Sequence, residues 1–327
     1  MRELIVSFPD QLNKAWKNAN STHFKGPPST IQNVVITGLG GSGIGGKFMS
    51  QLILEAANVP VVVNNDYRLP GFVSRATLVI ISSYSGNTEE TVSAMKEAIS
   101  KGAMVACISS GGEVTELAEA NGFDIVRIPG GNPPRSQFGY SSISLARVLE
   151  AYGIAPEGFF NRFEAMGAFL SSSNDAIQKE AKRITDAALG KQIILYSEVN
   201  NEGVAIRWRQ QLNENSKLLC WHHVYPEMNH NELVGWESGN GDIAAILLRS
   251  EDDFSRSVKR MDITKEIYKS KGARVIEVDA KGATKEERGI YLVNLGDWVS
   301  LLYAEAENTD PVIITNIDFL KNELSKF

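Results

Sequence analysis

The chain has 327 residues, of which 43% are hydrophobic and 22% are charged. This composition is typical of a globular protein of about two domains and excludes disorder, collagen and coiled coil as descriptions of the whole chain. The formal net charge of −6 gives no general attraction for nucleic acid or an anionic membrane. An anionic ligand must therefore be held by a local site.

The N-terminus and the cysteines indicate the cytoplasm. The first ten residues lack the basic-then-apolar pattern of a signal peptide, and no apolar run reaches the roughly 18 residues that a membrane span needs. Cys107 and Cys220 lie far apart in apolar runs, without the spacing of metal ligands. We therefore predict that both are reduced core residues, and no cluster of side chains predicts a metal site.

In the first half of the chain, short apolar runs alternate with helix-like stretches. The runs are continuous rather than alternating, as is typical of parallel strands that are buried on both faces. The stretch 89–101 begins with two glutamates and stops at Gly102, which are helix start and stop signals. The predicted strands are 33–37, 59–63, 77–82, 103–108 and 123–128, and the predicted helices are 47–57 and 89–101.

The same pattern recurs in the second half, with predicted strands at 192–196, 218–224, 242–248 and 273–278 and helices at 203–215, 256–270 and 314–324. Strands that alternate with helices predict an α/β fold of two doubly wound domains, each with a mainly parallel sheet flanked by helices. The stretch 152–173 contains glycine, proline and a run of three serines. We therefore place the boundary near residue 155, which gives an N-terminal domain 1–155 and a C-terminal domain 156–327.

Two motifs follow predicted strands of the first domain. Gly38-Leu39-Gly40-Gly41-Ser42-Gly43 fits G-x-G-x-x-G, a pattern that brings backbone close to an anion at a helix N-terminus. It also fits a dinucleotide site, but Asp66 comes late for the acidic residue that such a site needs, and a ligand-free tight turn has the same glycines.

The second motif, residues 82–90, brings the hydroxyls of Ser83, Ser85 and Thr88 to another helix N-terminus. Hydroxyl and backbone N–H donors together suit a phosphate monoester, although small residues also serve as ordinary helix caps. Because both motifs follow strands of one sheet, we expect a single phosphate site there. The second half has no clear copy of this loop, so we predict one phosphate site per chain.

These motifs, with Asn132-Pro133-Pro134-Arg135, Leu212-Asn213-Glu214-Asn215 and Asn229-His230-Asn231-Glu232, resemble the bifunctional phosphoglucose/phosphomannose isomerase family. The resemblance covers nearly the whole chain and implies two sugar isomerase (SIS) domains of flavodoxin-like topology. It implies a homodimer whose active site lies at the interface, with the histidine supplied by the neighbouring subunit. The implied substrate is a hexose 6-phosphate, and no cofactor is implied.

The resemblance also implies roles for individual residues. Glu214 is expected to move the proton between C2 and C1, and Arg135 to lie near the reacting end of the substrate. His230 is expected to open the sugar ring, and Lys321, on a short tail motif, to enter the site from the C-terminal helix. The phosphate-binding positions are Gly41, Ser42, Ser83, Ser85 and Thr88.

The chemistry of aldose–ketose isomerisation suits these residue types. A carboxylate can shuttle the proton, a histidine that titrates near neutral pH can act at the ring oxygen, and a cation stabilises the enediolate. His222 and His223 lie in an apolar strand, where at least one is expected to be a core or interface residue. The alternatives are a SIS module that only binds a sugar phosphate, an isomerase of a different phosphosugar, and a nicotinamide dehydrogenase.

Overall fold

The computed structural model describes residues 1–326, which form two separate parallel sheets with helices against their faces. The first sheet has the order β2-β1-β3-β4-β5. The chain adds β2 on one side of β1 and then adds β3, β4 and β5 on the other side, so the strand order has its reversal point between β1 and β3. Its strands are β1 (Asn33–Thr37), β2 (Val61–Asn64), β3 (Thr77–Ser83), β4 (Met104–Ser109) and β5 (Asp124–Arg127).

The second sheet repeats this arrangement with the order β7-β6-β8-β9, so its reversal lies between β6 and β8. Its strands are β6 (Gln192–Glu198), β7 (Trp221–Tyr225), β8 (Ile243–Arg249) and β9 (Arg274–Asp279). The prediction of two doubly wound α/β units is confirmed. Each predicted strand is present, with ends that differ by no more than a few residues.

The helices cover the sheets and join them. They are α1 (Arg2–Val6), α2 (Phe8–Asn20), α3 (Gly40–Leu52), α4 (Glu89–Ser100), α5 (Gly112–Ala120), α6 (Phe138–Ala151), α7 (Met166–Ala188), α8 (Glu202–Ser216), α9 (Glu232–Gly235), α10 (Ser255–Ser270), α11 (Lys285–Ala306) and α12 (Thr315–Leu324). Within residues 1–326, no helix combines the length and the apolar character that crossing a membrane requires.

One hydrophobic core connects the two sheets. It contains Val34 and Ile36 of β1, Leu195 of β6 and Ile246 of β8, together with side chains of the helices between the sheets. The central helix α11 packs against α7 and α8 and is buried along most of its length. Because it is buried around most of its circumference and carries both apolar and polar buried residues, it has no amphipathic pattern by which the sequence could have revealed it.

The prediction for the helix after β1 is wrong at both ends, because the helix covers Gly40–Leu52 rather than 47–57. Glycine disfavours a helix by about 1 kcal/mol, so the sequence pattern places the first turn after the glycine cluster, at residue 47. The helix begins instead at Gly40, inside the cluster. Tight tertiary packing accounts for this: a Cβ on Gly46 would lie 2.8 Å from a methyl group of Ile36.

The run of three serines, which the sequence pattern assigns to a segment between the domains, lies in a helix. Ser171, Ser172 and Ser173 lie within the 23-residue helix α7 rather than in a connecting segment. Ser171 and Ser172 are on its exposed face, which explains their polarity. The boundary expected near residue 155 falls between α6 and a 3-10 turn at Phe160–Phe163.

Candidate active site

The carboxyl ends of β1 and β3 meet at the point where the first sheet reverses direction, and both motifs follow these strands. Open α/β sheets bind ligands at this point. Two hydrogen bonds join the loops: the amide N–H of Tyr84 donates to Ser42 Oγ over 2.9 Å, and Ser82 Oγ donates to the carbonyl of Ser42 over 3.1 Å. The structure therefore brings the two predicted phosphate-binding segments into one locality.

The glycines of the first motif allow protein segments to approach one another. A Cβ on Gly38 would lie 2.5 Å from the carbonyl oxygen of Ser82, and one on Gly41 would lie 2.9 Å from the backbone of Arg135. The close approach that G-x-G-x-x-G permits is thus used by the segment that carries Arg135. This use is unlike that of the dinucleotide motif, in which the backbone approaches a pyrophosphate.

The Ser/Thr loop ends at the N-terminus of α4. Ser83 Oγ donates to Thr88 Oγ1 over 3.3 Å, and Ser85 Oγ accepts a hydrogen bond from the amide of Asn87 over 3.2 Å. Gly86, with φ of +71°, makes the turn between them. Ser83 is buried and Ser85 is exposed. Hydroxyls placed around a helix N-terminus can bind an anion through hydrogen bonds and through the helix dipole.

Arg135 is the most heavily bonded side chain of the site and is only 3% exposed. Its Nε donates to Asn215 Oδ1 over 2.9 Å, and one terminal nitrogen donates to the carbonyls of Pro311 and Val312 over 2.7 and 3.1 Å. The other terminal nitrogen donates to Glu214 Oε2 over 3.2 Å. Burial lowers the pKa of Arg135, and the carboxylate of Glu214 opposes this effect.

Glu214 lies in the last turn of α8, with its side chain 25% exposed. It borders a cleft of about 520 Å³ between the end of α8 and the segment that leads into α12. Lys217, in the left-handed conformation just after the helix, donates to the carbonyls of Glu214 and Asp310 over 2.6 and 2.7 Å. The predicted base and the predicted cation are therefore adjacent, beside an open cleft.

His230 lies elsewhere in the same chain. The strands β6 and β7 are parallel, so α8, which connects them, runs antiparallel and ends near the start of β7. Glu214 is at that end, whereas the exposed His230 follows the carboxyl end of β7. With five residues in β7 and about 3.3 Å per residue, the strand separates the two by roughly 16 Å.

Lys321 is exposed on α12, a helix in which none of the described residues is buried. The helix follows the segment that Arg135 and Lys217 hold through its carbonyl groups. Lys321 comes six residues after Thr315, where the helix begins, a rise of roughly 9 Å along the helix. The structure therefore brings Arg135 and Glu214 together and leaves His230 and Lys321 on outer surfaces.

Several residues that support this site were not singled out from the sequence. The amide of Asn215 is fixed by donating to Ser300 Oγ of α11 over 3.0 Å. Arg207 donates both to the carbonyl of Arg135 and to Asp297 Oδ2, each over 2.9 Å, and all three side chains are buried. The position of Asn215 beside Glu214 in the N-E-N segment was the one available sequence signal.

The equivalent position of the second sheet has the opposite electrostatic character. Glu198 ends β6 and Asp253 follows β8, and both carboxyl groups are buried at the reversal point. Burial and the charge of Glu198 raise the pKa of Asp253 to about 6. Hydrogen bonds from Ser250 and Asn201 act in the opposite direction and lower this pKa. Two buried carboxyl groups disfavour a phosphate at this point.

Comparison with known proteins defines the class. Residues 30–126 match the family model described as the SIS domain, and residues 177–324 match the one described as the bacterial phospho-glucose isomerase C-terminal SIS domain. The C-terminal domain of glucosamine-fructose-6-phosphate aminotransferase from Francisella tularensis has a similar structure, with a TM-score of 0.75 and 13% identity, over 95% of this chain and 96% of that one. The fold is thus that of proteins with two SIS domains.

Sequence similarity narrows the class to a family. The chain is 39% identical to a bifunctional phosphoglucose/phosphomannose isomerase of Caldicellulosiruptor bescii over 100% of this chain and 99% of that protein. It is 37% identical to one of Aquifex aeolicus, with 90% and 91% of the two chains covered. The chain belongs to the bifunctional phosphoglucose/phosphomannose isomerase family, which confirms the resemblance seen in its motifs.

Proposed function

We propose that this chain interconverts glucose 6-phosphate, and also mannose 6-phosphate, with fructose 6-phosphate. The observation that carries this proposal is the pairing of Glu214 with Arg135 at 3.2 Å, beside a cleft and on the sheet edge that holds the Ser/Thr loop. A base and a cation in contact are what an enediolate mechanism needs. Family membership supports the same reaction.

In the proposed reaction, a carboxylate oxygen of Glu214 takes the proton from C2 of the open-chain aldose and returns it to C1. Electrons of the broken C–H bond form the C1–C2 double bond, and the carbonyl oxygen O1 becomes an enediolate oxygen. The proton of the C2 hydroxyl then passes to O1, so that O2 becomes the ketone oxygen as C1 takes up its proton. The Nη1 group of Arg135, which faces Glu214, donates to O1 as its negative charge develops. Its other nitrogens hold protein groups, so it is preorganised for this task.

The phosphate is assigned to the first half of the chain. Ser83, Ser85 and Thr88 supply hydroxyls, and the N-terminus of α4 supplies N–H donors and the positive end of its dipole. Gly41 and Ser42 shape the adjoining wall. In this assignment residues 1–155 carry the phosphate site, and residues 156–327 carry the base, the ring-opening histidine and the C-terminal helix.

The ring-opening groups are assigned to a second subunit. Because Glu214 and His230 lie at opposite ends of β7, the two side chains of one chain cannot act on the same substrate. In a homodimer, His230 of one subunit would complete the site that contains Glu214 of the other. Exposed apolar side chains support such an interface: Leu219, which borders the same cleft as Glu214, is 77% exposed, and Phe319 of α12 is 65% exposed. Large apolar side chains left exposed in this way are typical of a protein contact. Lys321 would enter the site with α12.

A coupled assay tests the function. Purified protein receives fructose 6-phosphate in the presence of EDTA, and glucose 6-phosphate and mannose 6-phosphate are followed separately. Formation of both is the expected result. Glucose 6-phosphate alone would limit the enzyme to one epimer. If neither forms while fructose 6-phosphate still raises the melting temperature, the chain is a binding module or acts on another phosphosugar.

A further inference from the structure

The segment that carries His230 is anchored on both sides. Met228, two residues before the histidine, is completely buried against Tyr225 and Tyr268. Glu232, two residues after it, reaches back to the sheet. Between these anchors, His230 itself is exposed.

Glu232 contacts two strands of the second sheet. Its Oε1 accepts a hydrogen bond from the hydroxyl of Tyr196 in β6, and its Oε2 lies 2.7 Å from Nδ1 of His223 in β7. Tyr196 is fully buried, and its hydroxyl accepts a further hydrogen bond from Trp236 Nε1 over 3.0 Å. One carboxylate therefore ties the segment to groups that packing already holds in place.

The function proposed above does not use these contacts. A glutamate at a helix start is ordinarily solvated, yet Glu232 is bonded through both oxygens to side chains of the sheet. A histidine on a segment held this way keeps its orientation relative to the sheet, because the backbone at Asn231 cannot move without breaking the two bonds. At least one of His222 and His223 was expected to be a core or interface residue, and His223 is the partner of Glu232.

We propose that Glu232 is a positioning residue, which holds His230 in the orientation needed for ring opening. This inference rests on the proposed function, in which His230 acts on the closed sugar of the neighbouring subunit. Glu232 touches no substrate atom in this scheme. It acts through the loop geometry, and a small misplacement of a reacting group costs up to about 100-fold in rate.

The test compares Glu232→Ala with wild type in the fructose 6-phosphate assay. We expect kcat to fall about 10- to 100-fold, with little change in KM. The inhibition constant of an open-chain five-carbon aldonic acid phosphate, which resembles the enediolate and needs no ring opening, should also be unchanged. A loss of affinity for this inhibitor in parallel with kcat would overturn the proposal, because the damage would then extend beyond ring opening.

Combination with His230→Ala decides whether Glu232 acts through the histidine. The double variant His230→Ala/Glu232→Ala should be no slower than His230→Ala alone, since a missing side chain cannot be misplaced. Additive losses would overturn the proposal. This comparison requires that the wild type is active and that His230→Ala is slower. An inactive wild type would refute the proposed function, and an unaffected His230→Ala would refute the role of His230. The inference would fail in either case.

Conservative variants provide the structural control. Glu232→Gln keeps both contacts, because its amide oxygen accepts from Tyr196 and its amide nitrogen donates to the other tautomer of His223. It should restore most of the activity. If Glu232→Ala does not fold, Tyr196→Phe replaces it in the test. This variant keeps the buried ring and removes one hydrogen bond to Glu232, so it should show a smaller decrease in kcat. A Gln variant as slow as the Ala variant would contradict positioning.

Discussion

At the scale of residues, Arg135 shows how this site is prepared for negative charge. A buried guanidinium is costly unless its donors are paired, and here Asn215, Glu214 and two backbone carbonyls take them. The carbonyls of Pro311 and Val312 add no competing negative charge. These bonds hold the guanidinium in a fixed place. In the proposed mechanism, a cation fixed in this way stabilises the enediolate.

The first prediction concerns the base. Glu214→Gln keeps the size of the side chain and removes its ability to accept a proton, so kcat should fall about 10²–10⁴-fold. KM should change much less, since the phosphate contacts lie on another loop. Steady-state kinetics with fructose 6-phosphate measures both constants.

The control for this variant is Glu266→Gln on α10, where the exposed glutamate pairs with Lys269 at the surface. It changes the same chemical group far from the site and should leave kcat unchanged. Circular dichroism should show that both variants are folded. A folded Glu214→Gln protein with wild-type kcat would contradict the assignment of Glu214 as the base.

A second prediction concerns Asp253, whose pKa is raised to about 6 by burial and by Glu198. An acid that binds its proton more tightly in the folded state loses stability as pH rises from its unfolded pKa to its folded one. The wild type should therefore lose free energy of unfolding between about pH 4 and pH 6, by on the order of 3 kcal/mol at most.

The variant Asp253→Asn has no titratable group at this position, so comparison with wild type isolates the contribution of Asp253 to the pH dependence of stability. Relative to wild type, it should be more stable at pH 7.5 than at pH 4.5, and urea unfolding at the two values measures the difference. The amide oxygen of the variant can accept from the N–H of Ser250, and its NH2 group can donate to Asn201 once the amide of Asn201 turns its oxygen towards it. A stability difference that does not change with pH would show that Asp253 is ionised normally.

At the scale of elements, α8 connects the core to the chemistry. Its middle carries Arg207, which forms a buried ion pair with Asp297 of α11 and lies 4.8 Å over the ring of Phe138. Its last turn carries Glu214 and Asn215. The helix therefore positions the base by packing and by buried polar contacts, and the same contacts hold the backbone of Arg135.

The third prediction tests this connection. Asp297→Asn leaves the charge of Arg207 buried without its partner and should cost about 3–5 kcal/mol of unfolding free energy. The matched change Asp262→Asn removes a surface partner of Arg249 and should cost no more than about 1 kcal/mol. Chemical denaturation compares the two. Equal costs would show that the Arg207–Asp297 pair does not stabilise the fold.

Elements differed in how well the sequence predicted them. The strands β1, β3 and β4 are continuous apolar runs between turn signals, and local pattern was enough to find them. The helix α11 is buried on every side, and the start of α3 lies among glycines that favour no helix alone. Contacts with distant segments stabilise most of both helices, and neither shows the amphipathic pattern that the sequence prediction relied on. The capping box of Thr284 and Glu287 at the start of α11 was a local signal that the prediction missed.

At the scale of the whole molecule, the second sheet repeats the order of the first four strands of the first sheet, and the two differ in chemistry. The first has hydroxyls and glycines at its reversal point, and the second has Glu198 and Asp253. The prediction of one phosphate site per chain remains a prediction, and this difference in charge supports it. In the proposed mechanism the second unit contributes catalytic side chains from other places, because Glu214 and His230 lie at opposite ends of β7.

The fourth prediction follows from that separation. Inactive Glu214→Gln and His230→Ala dimers should recover activity when they are mixed and allowed to exchange subunits. One site of each mixed dimer then combines an intact glutamate with the intact histidine of its partner, so about a quarter of all sites should be active after random pairing. The recovered rate measures this fraction, and cross-linked dimers that cannot exchange are the control. No recovery would place both residues in one chain.

The sequence by itself determined the α/β class, the order of the strands along the chain and the family, because apolar runs and short motifs are local properties. It also singled out Arg135 and Glu214, through motifs 79 residues apart. The tertiary structure decided that these two are in contact while His230 is remote, and that Asn215, Arg207 and Asp297 support them. Such relations depend on how sheets and helices pack, and packing is set by contacts between residues that are far apart in the chain.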